Sequence, residues 1–124
     1  MSARKLLSTN NKNRTELNNF CGLTYAMDIL SGRWKFLILY KLNKRTLRYS
    51  ELRQQLPNVT DRMLSLHLKE LEQDGLIVRT VYPAVPSSVD YRLTELANKL
   101  VPVWKELESW GNAHKISRSE PLNR

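Results

Sequence analysis

A chain of 124 residues is long enough for one domain and short for two. Its hydrophobic content of 41% supports a real core, and 20 Lys and Arg against 12 Asp and Glu leave a formal charge of +8, which points to an anionic partner, nucleic acid first. A single cysteine excludes an intrachain disulfide, no CxxC pair is present to hold zinc, and the most apolar run, Trp34–Leu42, contains Lys35 and Lys41 and falls far short of the ~20 residues of a bilayer span. The first residues lack the apolar segment of a signal peptide, so the chain reads as cytoplasmic with no membrane role.

Taken in order, residues 1–15 read as a flexible basic arm, 16–113 as the folded domain and 114–124 as a flexible tail. Leu23–Leu30 reads as a short helix stopped by Ser31-Gly32. The run Trp34–Leu42 is apolar on nearly all sides, as a buried central helix would be. Arg33 to Arg53 holds seven basic residues and one acid, Glu51, a concentrated patch of the kind that binds polyanions. Tyr49, Leu52 and Leu56 share one face of a two-turn helix that Pro57 ends.

Thr60 is an N-cap for the next helix, Asp61 suits the positive end of its dipole, and Leu64, Leu68 and Leu71 form its buried stripe. Gly75 is a natural left-handed stop. Leu76–Tyr82 and Val89–Leu93 read as two strands joined by the proline-stiffened link Pro83–Ser88. Thr94 caps a last helix, Glu95 to about Gly111, that Pro102 should kink.

This order defines a mainly α fold with a small β-hairpin: a winged helix-turn-helix with a C-terminal dimerisation helix. The helix after Thr60 becomes the recognition helix. Its leucine stripe anchors it, and its other face enters the major groove, ~12 Å wide. The expected DNA contacts are Thr60, Asp61, Arg62, Ser65, Leu66 and Lys69 on that helix, Arg48 and Ser50 beside it, and Arg79, Ser87 and Ser88 on the hairpin. Arg79 either reaches a phosphate or covers its strand. The expected partners are double-stranded DNA with a pseudo-palindromic operator and a second copy of the chain. A nonspecific basic DNA-binding protein and a protein-interaction module are the alternatives.

Leu96, Leu100, Val103, Leu107 and Trp110 recur at spacings of four and three on the last helix, a two-heptad seam for the homodimer. His67 and His114 have no carboxylate or cysteine at ligand spacing, so neither a metal, a cofactor nor catalysis is expected. Cys21 is either a small buried hydrophobe or a thiol sensitised by nearby positive charge.

The sequence resembles the HxlR-type regulators of bacteria, relatives of the MarR winged helices. The resemblance rests on Cys21, Met27–Lys35 (MDILSGRWK), Leu47–Arg53 (LRYSELR), Met63-Leu64, Leu68–Leu76 (LKELEQDGL), Arg79–Pro86 (RTVYPAVP), Tyr91–Leu96 (YRLTEL) and Trp110-Gly111. It covers about residues 20–112. It implies a homodimeric DNA-binding transcriptional regulator, often one that senses small electrophiles or oxidants, and it implies that role for Cys21. Gly22 replaces a proline common in the family, Leu66 stands at a position more often polar, and Ser87-Ser88 occupy a wing tip that is frequently basic.

Overall fold

A computed structural model describes residues 21–119 together with Asn13, Thr15, Glu16 and Asn19, which are helical. The rest of the basic arm expected over residues 1–15, and residues 120–124 of the expected tail, lie outside the described residues. Two compact units divide the chain, Met1–Gly32 and Arg33–Arg124. The first contains helix α1 (Gly22–Ile29), with Cys21 at its N-cap and Leu23, Tyr25 and Met27 exposed.

The second unit begins with α2 (Arg33–Leu42). Its buried residues are Lys35, Ile38, Leu39 and Leu42, a single stripe at helical spacing. Trp34, Phe36, Leu37 and Tyr40 are only partly covered, so the helix is buried on one face rather than on nearly all. A two-residue strand, β1 (Leu47–Arg48), follows and leads directly into α3 (Tyr49–Gln55). The Glu51 carboxylate reaches back to accept from the Arg48 N–H at 2.8 Å, satisfying a donor that the helix start would leave open. Leu52 and Leu56 are buried, and Pro57 lies just past the helix end.

Helix α4 (Asp61–Gln73) starts at the expected cap, with the Met63 N–H donating to Thr60 Oγ1 at 3.1 Å. Leu64, Leu68 and Leu71 are buried as expected, and His67 joins them. Burial of each leucine contributes roughly 1.5–3 kcal/mol. The helix ends in a Schellman motif: the Leu76 N–H donates to Leu71 O at 2.9 Å and the Gly75 N–H to Glu72 O at 3.0 Å. Gly75 carries φ +77°, which a side chain at that position would strain.

Strands β2 (Ile77–Tyr82) and β3 (Ser88–Leu93) form the expected antiparallel hairpin, in register from Ile77↔Leu93 to Tyr82↔Ser88. Beyond the hairpin, β1 pairs with the outer side of β3, Leu47↔Tyr91 and Arg48↔Asp90, making a three-stranded sheet of order β1-β3-β2.

The C-terminal helix differs from expectation. Thr94 caps α5 (Glu95–Asn98) through the Ala97 N–H at 3.2 Å, and the chain breaks at Lys99–Leu100 before α6 (Val101–Ser119) begins. Pro102 therefore kinks nothing. It sits in the first turn of α6, where a backbone N–H has no helical partner to lose. Gly111 does not stop α6 either, because an isolated glycine inside a helix costs only ~1 kcal/mol. The helix continues through residues 114–119, which the sequence assigned to a flexible tail.

Candidate nucleic-acid interface

The leucine stripe of α4 turns one face into the core and leaves Arg62, Met63, Ser65, Leu66 and Lys69 exposed on the other. Thr60 is exposed, but its hydroxyl is occupied as the helix cap. Helix α3 and the Pro57–Thr60 turn hold α4 in place, and the link between them is polar. The Arg53 Nε donates to Asp61 Oδ1, and its Nη1 donates to Leu56 O at 3.1 Å. Tyr49 donates its hydroxyl to Asp61 Oδ1 at 3.1 Å and stands 3.4 Å from Ser65 Oγ. Arg53 and then Tyr49 hold the Asp61 carboxyl below its ordinary pKa. Asp61, expected to face the groove, thus has its carboxylate engaged within the motif.

Between α4 and the wing lies an open cleft of about 760 Å³. Arg48, Tyr49 and Ser50 come to it from β1 and α3, Ser65 from α4, and Arg79, Ser87, Ser88 and Tyr91 from the hairpin. Of the expected contacts, five meet here with Ser65: Arg48, Ser50, Arg79, Ser87 and Ser88. Burial pushes the Tyr91 hydroxyl to a higher pKa, against the opposing effect of a hydrogen bond to Arg79. Arg79 is exposed and Tyr91 buried, so the cleft has an apolar floor and a cationic rim on the hairpin side.

The basic patch is less basic than its residue count. Lys35 is buried and pairs with Glu70 Oε1 at 3.0 Å, joining α2 to the recognition helix. Burial works against the Glu70 carboxylate, but Lys35 and His67 outweigh it and its pKa is lowered. The His67 Nδ1 stands 3.5 Å from the same oxygen, too far for a well-formed bond. Arg45 pairs with Glu51 at 3.0 Å, and Arg53 with Asp61. Tyr49, Arg53 and Tyr91 all shape the site, although from sequence Tyr49 reads only as a helix-face residue, Arg53 only as the end of the basic patch and Tyr91 only as a strand residue. Among the described residues no cluster of three or more His, Cys, Asp or Glu is placed to hold a metal ion. None of the described helices is long and apolar enough to cross a membrane.

Cys21 is half-buried at the N-cap of α1. Its thiol pKa is lowered, first by the Thr24 backbone N–H and then by that of Leu23. The open amides of the helix start thus favour the thiolate. The residues of the expected seam are not on one helix: Leu96 is exposed on α5, Leu100 is half-buried in the break, and Val103, Leu107 and Trp110 are exposed on α6. Trp104, by contrast, is buried against its own unit. Trp110 stacks on His114 with ring centroids 5.2 Å apart, and Ile116 is exposed on another side of the helix.

Two helices across a tight turn, with a hairpin wing beside the second helix, make this a winged helix-turn-helix, the architecture of DNA-binding regulators. The sequence model of the HxlR-like helix-turn-helix family matches residues 29–119, and the chain belongs to that family of transcriptional regulators. It is 43% identical over 95 residues to the uncharacterized HTH-type transcriptional regulator YdeP of Bacillus subtilis (strain 168), covering 77% of this chain and 74% of that one. A crystal structure of a transcriptional regulator of the MarR family from Porphyromonas gingivalis W83 superimposes with TM-score 0.71 at 38% identity, over 73% of this chain and 89% of that one. The redox regulator HypR in its reduced form superimposes with TM-score 0.73 at 36% identity, over 77% and 94%.

Proposed function

We propose that the protein is a homodimeric, sequence-specific regulator of transcription that reads double-stranded DNA with α4. The observation that carries this reading is the division of α4 into an anchored leucine face and an exposed face bearing Arg62, Ser65, Leu66 and Lys69, beside a cleft armed with Arg48 and Arg79. Arg62 and Lys69 suit guanine edges or phosphates, and exposed Leu66 suits a thymine methyl. Arg48, Ser50, Arg79, Ser87 and Ser88 line a channel suited to one sugar-phosphate backbone, with Thr60 setting the start of the reading helix.

Selection from a randomised duplex library tests the reading. Enrichment of a two-fold related motif supports it, and recovery of an unselected pool shows a nonspecific basic protein instead. Arg62→Ala is expected to cost about 1–3 kcal/mol of specific binding and to relax the preference at one base pair per half-site. A uniform loss over all sequences makes Arg62 a phosphate contact.

A second reading concerns redox control. It is supported by the accessible, thiolate-favouring position of Cys21 and by the similarity to HypR. Diamide takes two electrons and two protons from a pair of thiols, so oxidation would join Cys21 to the Cys21 of a second copy or to a small thiol. Diamide is expected to change DNA affinity in the wild type and not in Cys21→Ser. The same response in both proteins leaves the cysteine without a sensing role.

A further inference from the structure

The Arg53 side chain spans the turn of the helix-turn-helix. Its Nη1 donates to Leu56 O, the carbonyl at the end of α3, at 3.1 Å. Its Nε donates to Asp61, the first residue of α4. From the other side Tyr49, the first residue of α3, donates to the same Asp61 oxygen at 3.1 Å and approaches Ser65, one turn further along α4. One carboxylate therefore receives a bond from each end of α3, and one guanidinium holds both sides of the turn. Only a planar fork with several N–H groups makes the two Arg53 bonds at once; a lysine ammonium on a flexible stem does not reproduce that geometry.

The position of this network matters more than its strength. Asp61 is largely exposed, with 74% of its side chain accessible, and exposed pairs contribute little to stability. What the network does is place the start of α4, where Arg62 and Ser65 project. It also pairs the one acid at that helix start with a cation that would otherwise stand among the phosphate-binding residues.

Resting on the reading of α4 as the DNA-reading helix, we infer that Arg53, Asp61 and Tyr49 are positioning residues. They set the angle of α4 and hold Arg53 back from the phosphates, and neither Asp61 nor Arg53 is a direct DNA contact. The device trades nonspecific attraction for specificity: the molecule gives up a cation at the interface to keep its reading helix in one orientation.

The experiment compares Arg53→Ala, Arg53→Lys, Asp61→Ala and the Arg53→Ala/Asp61→Ala double variant in the full chain. In the protein without DNA, amide exchange at Met63 and Leu64 is expected to accelerate about two- to fivefold in each alanine variant and no further in the double. Unchanged exchange in all variants overturns the clamp, whatever the protein does with DNA. Against bulk random-sequence duplex, Asp61→Ala is expected to bind more tightly, with a salt slope steeper by about 0.9 per subunit as Arg53 is released to a phosphate. Arg53→Lys is expected to keep the salt slope and lose base preference across the half-site. An intact preference with a shallower slope in Arg53→Ala makes Arg53 a phosphate contact. Loss of preference at one base pair alone in Asp61→Ala makes Asp61 a reader. Either result overturns the inference, whereas an unselective wild type with coupled exchange retains the clamp and removes the DNA-reading assignment.

Discussion

Raising the salt from 50 to 200 mM is expected to weaken the complex with duplex DNA by about 10³–10⁵-fold, the loss for a dimer that neutralises roughly 6–10 phosphates. The charge that drives this is not the whole +8 of the chain. Within Arg33–Arg53, Lys35, Arg45 and Arg53 have carboxylate partners, leaving Arg33, Lys41, Lys44 and Arg48 from that segment. Arg62, Lys69 and Arg79 add three more per subunit around the cleft and reading helix. Two subunits with about half of these cations in contact reach the stated range. Fluorescence anisotropy titrations at several salt concentrations give the slope of log affinity against log salt. A change below about threefold over the same interval removes the patch from the interface.

Leu107→Asp is expected to convert the protein to monomers and to lower its affinity for a two-half-site duplex by about 10²–10⁴-fold. Leu107 is 51% exposed in the single chain and lies with exposed Val103 and Trp110 on one side of α6, so a charge there is tolerated by the isolated fold. In the proposed seam the same charge is buried without a partner, which costs several kcal/mol for each copy. DNA affinity falls because two reading helices held together bind as one ligand, whereas two separate monomers each lose their own freedom. Sedimentation velocity reads the first effect and binding to duplexes with one or two half-sites the second. A dimer that survives Leu107→Asp moves the interface to another apolar surface, of which Leu23, Tyr25 and Met27 on α1 form the next.

The features legible in the sequence are those whose causes are local. Thr60, the leucine spacing of α4 and Gly75 each act within a few residues, and each stands where the pattern placed it. The hairpin was legible from alternation in β3 and β-branched residues in β2. β1 was not, because two residues carry no period and their partners, Tyr91 and Asp90, lie more than forty positions away. Pro102 was ambiguous: the same residue marks a kink within a helix or the first turn of a new one, and only the break at Lys99–Leu100 decides between them.

The site divides in the same way. The exposed face of α4 followed from helical geometry once its buried stripe was known. The charges were harder. Lys35 reads as a surface cation in any composition count, yet Glu70 from a different helix draws it inside. Arg53 and Asp61 face each other across a turn whose angle no spacing rule specifies.

The small strand β1 ties the mechanics of the domain together. Through Leu47↔Tyr91 and Arg48↔Asp90 it is bonded to the wing, and its next residue, Tyr49, opens α3 and reaches Asp61 and Ser65 on α4. A wing attached only through its own hairpin would be a flap, free to swing while the reading helix stayed still. Here the flap is bolted to the frame. A force applied at the wing passes along two backbone pairings into α3 and from there into α4, so wing and helix behave as one rigid tool. On the proposed reading of α4 as the DNA-reading helix, a duplex of unsuitable curvature would have to bend rather than be met by a relaxing wing, and selection would extend to base pairs that no side chain touches, through the work of bending them.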